Sequence, residues 1–204
     1  MHEKPIIRLE PDEVATLLDI VENGEGLTEK QKQYHKKNVL RDMAILVLFL
    51  TTGIRVSELV SLNIKDLDFK NNSFVVTRKG GNRVVLYFDE ETAEALTDYL
   101  EERKGEGSYE LPSPLFLSMQ GKRITVRSVE NMVKKYAALA APLKKISPHK
   151  LRSTFGTMLY GETGDIYLVA DVLGHKDVNT TRKHYAAMSE ENRRRASKAI
   201  KLRK

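Results

Sequence analysis

The segment Val39–Thr51 constrains the chain more than any other. Apart from Arg41, Asp42 and Thr51 it is wholly apolar, with an unbroken run from Ala44 to Leu50. A helix that is hydrophobic on every side must be buried on every side, so a central helix with the other elements packed around it is expected. Gly53 stops it, and Arg55 follows, so a permanent charge emerges at the edge of the core. The apolar run is far too short to cross a bilayer. The first residues, Met1 to Arg8, hold no apolar signal stretch. A soluble, cytoplasmic chain with no membrane partner is the expectation.

Hydrophobic periodicity is helical through most of the remaining chain. Pro11 and Asp12 open a helix with Val14, Leu17, Leu18 and Val21 on one face. A short segment through Val56, Leu59, Val60 and Leu62 follows Arg55. Helices are predicted over 89–103, 125–139, 149–160, 166–173 and 179–185, and a tail helix over about 189–204. The pattern changes only at 73–77 and 83–88, two β-branched and aromatic runs. Arg78, Lys79, Gly80, Gly81 and Asn82 lie between them, which reads as a β-hairpin, about 73–88, with a basic turn. Leu115–Leu117 has the composition of a further short strand. The fold class expected is mainly α with a small antiparallel β-sheet, in a single domain spanning 1–204.

The 204 residues are 41% hydrophobic, enough for a core, and contain no cysteine. That excludes a disulfide scaffold, a zinc–thiolate site and a cysteine nucleophile. Neither a P-loop, a His-Glu-x-x-His helix nor a Gly-x-Ser-x-Gly elbow occurs, so no metal and no cofactor are expected. The net charge of +6, with seven Lys/Arg between Arg193 and Lys204, makes a polyanionic partner plausible.

Four places carry reactive side chains, and each has a plain structural reading beside the chemical one. His149 and Arg152 share a helix face at i, i+3 and can grip one phosphate; they also suit a solvated basic face. Arg55 with Glu58 is either an internal ion pair or an anion site with its support. His175, after Leu173-Gly174, suits a helix C-terminus by its charge. Tyr185 suits packing, because a phenol with a pKa near 10 is a poor nucleophile unless cations stabilise its anion. His184, its immediate neighbour, points elsewhere on a helix.

Taken together, Gly53-Ile-Arg55-Val-Ser-Glu58-Leu59, the hairpin Lys79, Pro148-His149-Lys-Leu-Arg152, Leu173-Gly174-His175 and Tyr185 resemble the tyrosine recombinase, or phage integrase, family. The similarity runs from about Ile7 onward in the family's order and approximate spacing. It extends to integrases of phages and conjugative transposons and to the Xer group. The resemblance implies the catalytic-domain fold of that family and site-specific recombination of double-stranded DNA through a 3′-phosphotyrosyl intermediate. It implies Tyr185 as nucleophile, Arg55, Arg152 and His175 on the nonbridging phosphate oxygens, and His149 assisting proton transfer. Lys79 is implied as the acid for the leaving 5′-oxygen, with Glu58 in support. Arg78, Arg83 and Lys150 are implied as DNA contacts. The partners implied are specific recombination sites and a homotetramer on DNA, its tail docking in trans, working at the nucleoid. Family members carry a DNA-clamping domain ahead of this region, and its absence from this chain is expected. A type IB topoisomerase-like relaxing activity and a noncatalytic DNA-binding protein are the alternatives.

Overall fold

The computed structural model describes residues 7–105, 113–175, 177–185 and 188. The element order is α1 (Pro11–Asn23), α2 (Glu29–His35), α3 (Val39–Thr52) and α4 (Val56–Ser61). A 3-10 turn (Ile64–Asp66), β1 (Leu67–Asp68), β2 (Ser73–Thr77) and β3 (Arg83–Tyr87) follow. The order ends with α5 (Glu90–Gly105), α6 (Val126–Ala140), α7 (Pro148–Thr163), α8 (Ile166–Leu173) and α9 (Val178–His184). The fold is mainly helical with one three-stranded antiparallel sheet in the order β1-β2-β3. The predicted tail helix, 189–204, lies outside the described residues.

α3 is the axis that its composition requires. Residues Ala44 to Leu50 are all buried, and the helix packs on α1, α5 and α7. Asp42 in its first turn is buried too. Asp42 accepts from Arg41 Nη2 at 2.7 Å and Nε at 3.1 Å and from the Tyr136 hydroxyl at 2.9 Å. Arg41 also donates to Leu117 O at 3.0 Å, which ties α3 to the loop before α6. Lys135 stands 3.8 Å from Asp42 and over the Tyr136 ring. Burial, with Asp42 adding to it, pushes the Tyr136 phenol well above its ordinary value. α7 is held from the other end of the chain, where Leu9 N–H donates to Thr154 Oγ1 at 3.0 Å.

The hairpin forms as expected, with Phe74 opposite Leu86 and Thr77 opposite Arg83. Three details differ. A third strand, β1, pairs Leu67 with Phe74 through a turn in which Asn72 has φ of 47°; two residues carry too little pattern to be seen in sequence. α2 arises from a capping box in which Thr28 Oγ1 accepts from Gln31 N and Gln31 returns a carbonyl to Thr28 N. Leu115–Leu117 is not a strand. Its backbone alternates between partners, Leu115 N–H to Leu62 O and Ile124 N–H to Phe116 O, so only isolated bridges form at Pro114 and Leu117. Among the described residues no helix is long and apolar enough to cross a membrane.

A second, smaller apolar cluster consists of Phe155, Tyr160, Val169, Leu173 and Tyr185, from α7, α8 and the end of α9. The first cluster positions α3 and Arg55; the second seats Tyr185. Asp42→Ala leaves the Arg41 charge and the Tyr136 hydroxyl without their buried partner. It should lower the unfolding free energy by about 3–5 kcal/mol, read as a shift of the urea midpoint at unchanged m-value.

Candidate active site

The site is organised by the end of α8. Gly174, with φ of 63°, turns the chain out of the helix. Gly174 N–H to Asp171 O at 2.8 Å and His175 N–H to Ala170 O at 2.9 Å close the last turn. The final carbonyls of a helix have no partner within it and carry its negative dipole end. Here guanidinium groups take them. Arg55 Nη2 donates to Leu173 O and Gly174 O, both at 3.2 Å. Arg78 Nη2 donates to Val172 O at 2.9 Å. Arg152 bonds Leu173 O with one nitrogen and Gly53 O with the other. Three arginines from α4, the hairpin and α7 therefore converge on one short helix end.

Each arrives for a local reason. Gly53 has φ of 62°, which breaks α3 and leaves its carbonyl free for Arg152. A Cβ on Gly53 would also strike the Phe155 ring. Arg55 caps α4: Glu58 Oε2 accepts Arg55 N–H at 3.1 Å while Glu58 Oε1 holds Arg55 Nη1 at 2.9 Å. Glu58 is thus the ion-pair partner expected for Arg55. Arg152 is buried on α7. Burial, with Arg55 and Arg78 adding repulsion, pushes its pKa down to about 10, so it remains a cation at neutral pH. Burial lowers Arg78 as well. Arg78 lies against Gly174 so closely that a methyl group there would overlap the guanidinium.

Arg55, Glu58, Arg78, Lys79, Gly174 and His175 line one cleft of about 1040 Å³. Lys79 stands exposed at the hairpin turn, beside Gly80 and Gly81, both with positive φ. His175 Nδ1 is 2.6 Å from Thr181 Oγ1. His149 is exposed in the first turn of α7, three residues before Arg152. Of the basic residues expected to touch DNA, Arg83 is exposed and borders a smaller neighbouring cleft with Lys65 and Asp66, and Lys150 is half-buried on α7. Arg78 lines the main cleft while its Nη2 donates to Val172 O. Among the described residues no group of His, Asp and Glu is placed to hold a metal ion.

Tyr185 does not line the cleft. It is 5% exposed, packs against the Tyr160 ring at 5.6 Å, and its hydroxyl occupies the space where a Cβ on Gly156 would stand. Burial raises its pKa, while Thr157, Arg152 and Arg8 pull it down. Sequence reasoning did not single out Gly156, Thr181 or the α8 carbonyls. A glycine inside a helix is the one signal available for the first, because it is disfavoured there without a reason of space.

The model described as the phage integrase family matches residues 7–192. The chain is 41% identical over 152 residues to a tyrosine recombinase XerC of Thermodesulfovibrio yellowstonii, covering 72% of this chain and 50% of that protein. To a tyrosine recombinase XerC of Staphylococcus aureus (strain JH9) it is 35% identical over 173 residues, covering 85% and 57%. The chain thus spans about half the length of these curated relatives. The crystal structure of XerA recombinase superposes with a TM-score of 0.75 at 27% identity, over 94% of this chain and 66% of that one. XerH site-specific recombinase bound to palindromic difH substrate, a post-cleavage complex, shares the fold with a TM-score of 0.76 at 24% identity, over 95% and 53%.

Gly156→Ala should evict the Tyr185 hydroxyl from its seat. Because burial is what raises this phenol, eviction should return its titration toward the ordinary tyrosine range. Tyrosinate absorbance against pH, with Tyr185→Phe in each background subtracted to isolate residue 185, checks this; an unmoved midpoint contradicts the seat.

Proposed function

The chain belongs to the phage integrase family, and from that premise we propose that it is the strand-cleaving domain of a tyrosine site-specific recombinase. One observation carries the reading. Arg55 and Arg152 meet at the Leu173 carbonyl, Lys79 and His175 line the cleft that Arg55 borders, and Tyr185 lies near enough to Arg152 for each to shift the other.

The residues divide the work by their chemistry. The Tyr185 oxygen attacks a DNA phosphorus, forming a phosphotyrosyl bond to the 3′ side while the bond to the 5′-oxygen breaks. The phosphodiester energy is kept in that bond, and a 5′-hydroxyl from a partner strand reverses the step, so no nucleotide cofactor enters. Negative charge grows on the nonbridging oxygens. Arg55 and Arg152 offer planar, permanently charged forks for it, and His175 adds a hydrogen bond. His149 assists the loss of the phenol proton, and Lys79 gives a proton to the departing 5′-oxygen. Glu58 holds Arg55. The seated Tyr185 is not an attacking nucleophile, so the reading includes its release from Gly156 once DNA occupies the cleft.

The substrate of the reading is double-stranded DNA at specific sites, gripped in part by Arg83 and Lys150. XerH is recorded bound to difH substrate before and after cleavage, and the Tn1549 transposon integrase in complex with circular intermediate DNA. Those complexes support DNA as the ligand of the corresponding surface here. A homotetramer on two duplexes, with residues 189–204 docking on a neighbouring protomer, belongs to the same proposal, as does work at the nucleoid.

Two experiments test it. On a nicked suicide duplex the wild-type chain should form a covalent adduct on denaturing gels. Tyr185→Phe should form none and bind DNA within about twofold of wild type, since phosphate contacts dominate affinity. An adduct surviving in Tyr185→Phe removes the assignment, and transfer of the cleaved strand to a second duplex separates recombinase from topoisomerase. Lys79→Ala should slow cleavage by roughly 10²–10⁴-fold. A 5′-bridging phosphorothiolate, whose leaving group needs no acid, should restore much of that rate. Arg78→Ala, which removes a cation from the cleft and loosens the hairpin from α8, should show no such rescue.

A further inference from the structure

His175 has a partner that the mechanism above does not use. Thr181 lies on α9, is 0% exposed, and places Oγ1 2.6 Å from His175 Nδ1. Its carbonyl accepts the Tyr185 N–H at 3.2 Å, so one residue touches both the histidine ring and the backbone of the tyrosine. The Thr181 hydroxyl has a different partner from those of six other helical threonines. Thr16, Thr51, Thr52, Thr97, Thr154 and Thr163 each donate their hydroxyl to the carbonyl four residues earlier in their own helix. Thr181 Oγ1 instead sits on the imidazole.

The chemistry of the ring makes that contact consequential. A neutral imidazole has one N–H donor and one bare acceptor nitrogen, and the bond made by one nitrogen decides the role of the other. If Nδ1 carried the proton and gave it to Thr181, Nε2 would be a bare lone pair, which repels a phosphate oxygen. If the Thr181 hydroxyl donates to Nδ1, Nε2 carries the proton and can donate to that oxygen. The backbone of His175 is pinned to Ala170 O, and the hydroxyl adds a restraint on the ring itself.

We propose that Thr181 is a positioning residue that donates its hydroxyl to His175 Nδ1, fixing the ring in the Nε2–H tautomer that a phosphate oxygen requires. The inference rests on the reading of this cleft as a phosphodiester site, and it deepens that reading by assigning the proton on His175. It also makes α9 a shared support: the helix that carries Tyr185 sets the ring of His175.

The test separates the tautomer from the activity. Histidine nitrogen and carbon chemical shifts in isotopically labelled protein, at a pH where the ring is neutral and with His175 assigned through His175→Asn, report which nitrogen bears the proton. The wild type should show the Nε2–H form. Thr181→Val, of nearly the same shape, should show a mixed or inverted population, and Thr181→Ser should restore the wild-type signal. With the nicked suicide duplex, Thr181→Val should form adduct roughly 10–100-fold more slowly, part of the 10²–10³-fold that a lost oxyanion donor costs. Thr181→Ser should recover most of that rate, and both variants should bind DNA as the wild type does. A wild-type His175 in the Nδ1–H form overturns the proposal even if Thr181→Val fails to fold. So does a folded Thr181→Val with unchanged tautomer and unchanged rate. A wild-type chain that forms no adduct would defeat the parent reading instead, while the chemical shifts still decide the Thr181 bond.

Discussion

Three guanidinium groups share the carbonyl end of α8, and most of what positions the site follows from that arrangement. A helix of eight residues ends with carbonyls that nothing inside it can satisfy. Gly174 turns the chain away and leaves Val172, Leu173 and Gly174 to be met from outside. Arg78 comes from the hairpin, Arg55 from the start of α4 and Arg152 from α7. The helix end therefore joins segments about a hundred residues apart, and a side chain at position 174 would break the joint by overlapping Arg78. Gly53 has the same function on the other side, since its open carbonyl receives Arg152 and its missing side chain admits Phe155.

The proposed nucleophile is held by a different set of forces. Tyr185 belongs to the small apolar cluster of α7 and α8, where burial favours the neutral phenol and raises its pKa. Arg152 is the link between the two regions. It lies close enough to Tyr185 to favour the phenolate, yet is itself buried and pulled toward deprotonation by desolvation and by Arg55. On the proposed reading, a DNA phosphate entering the cleft would bring an anion toward Arg152, which is held by the carbonyls of Gly53 and Leu173. It would add a further interaction for Arg55 and Arg152 at the moment when the phenol must leave Gly156.

Much of this was visible in the sequence, because it depends on local pattern. The all-round apolar helix ending in Gly53 and Arg55, the hairpin with its basic turn, and the helix ended by Gly174 before His175 all follow from periodicity and from the residues that break it. Arg55 with Glu58 was legible as an i, i+3 ion pair. What stayed hidden depends on distance in the chain. Nothing near Arg78 says that its partner is Val172 O. Nothing near Leu115 says that successive backbone groups bond to Leu62 and Ile124, so it resembled a strand. Gly156 and Thr181 matter for what stands opposite them, Tyr185 and His175, and a one-dimensional pattern does not contain that pairing.

The choice of partners for these arginines has a chemical consequence. A carboxylate would orient a guanidinium strongly but would neutralise the charge that a phosphate needs to meet, and a charged hydrogen bond of about 1.5–3 kcal/mol would have to be exchanged on binding. A carbonyl orients the same group with a partial charge only; the whole end of a helix amounts to roughly half an elementary charge. Among the described residues Arg152 is held by two carbonyls, Gly53 O and Leu173 O, whereas Arg55 has both carbonyls and Glu58. Arg152 thus keeps its full charge in a partly dehydrated position, where an approaching phosphate is attracted more strongly than in open water. Arg55, nearer the solvent, keeps Glu58 as a brace. Backbone carbonyls at a glycine-terminated helix end therefore hold the cations in place at little cost to the positive potential of the cleft.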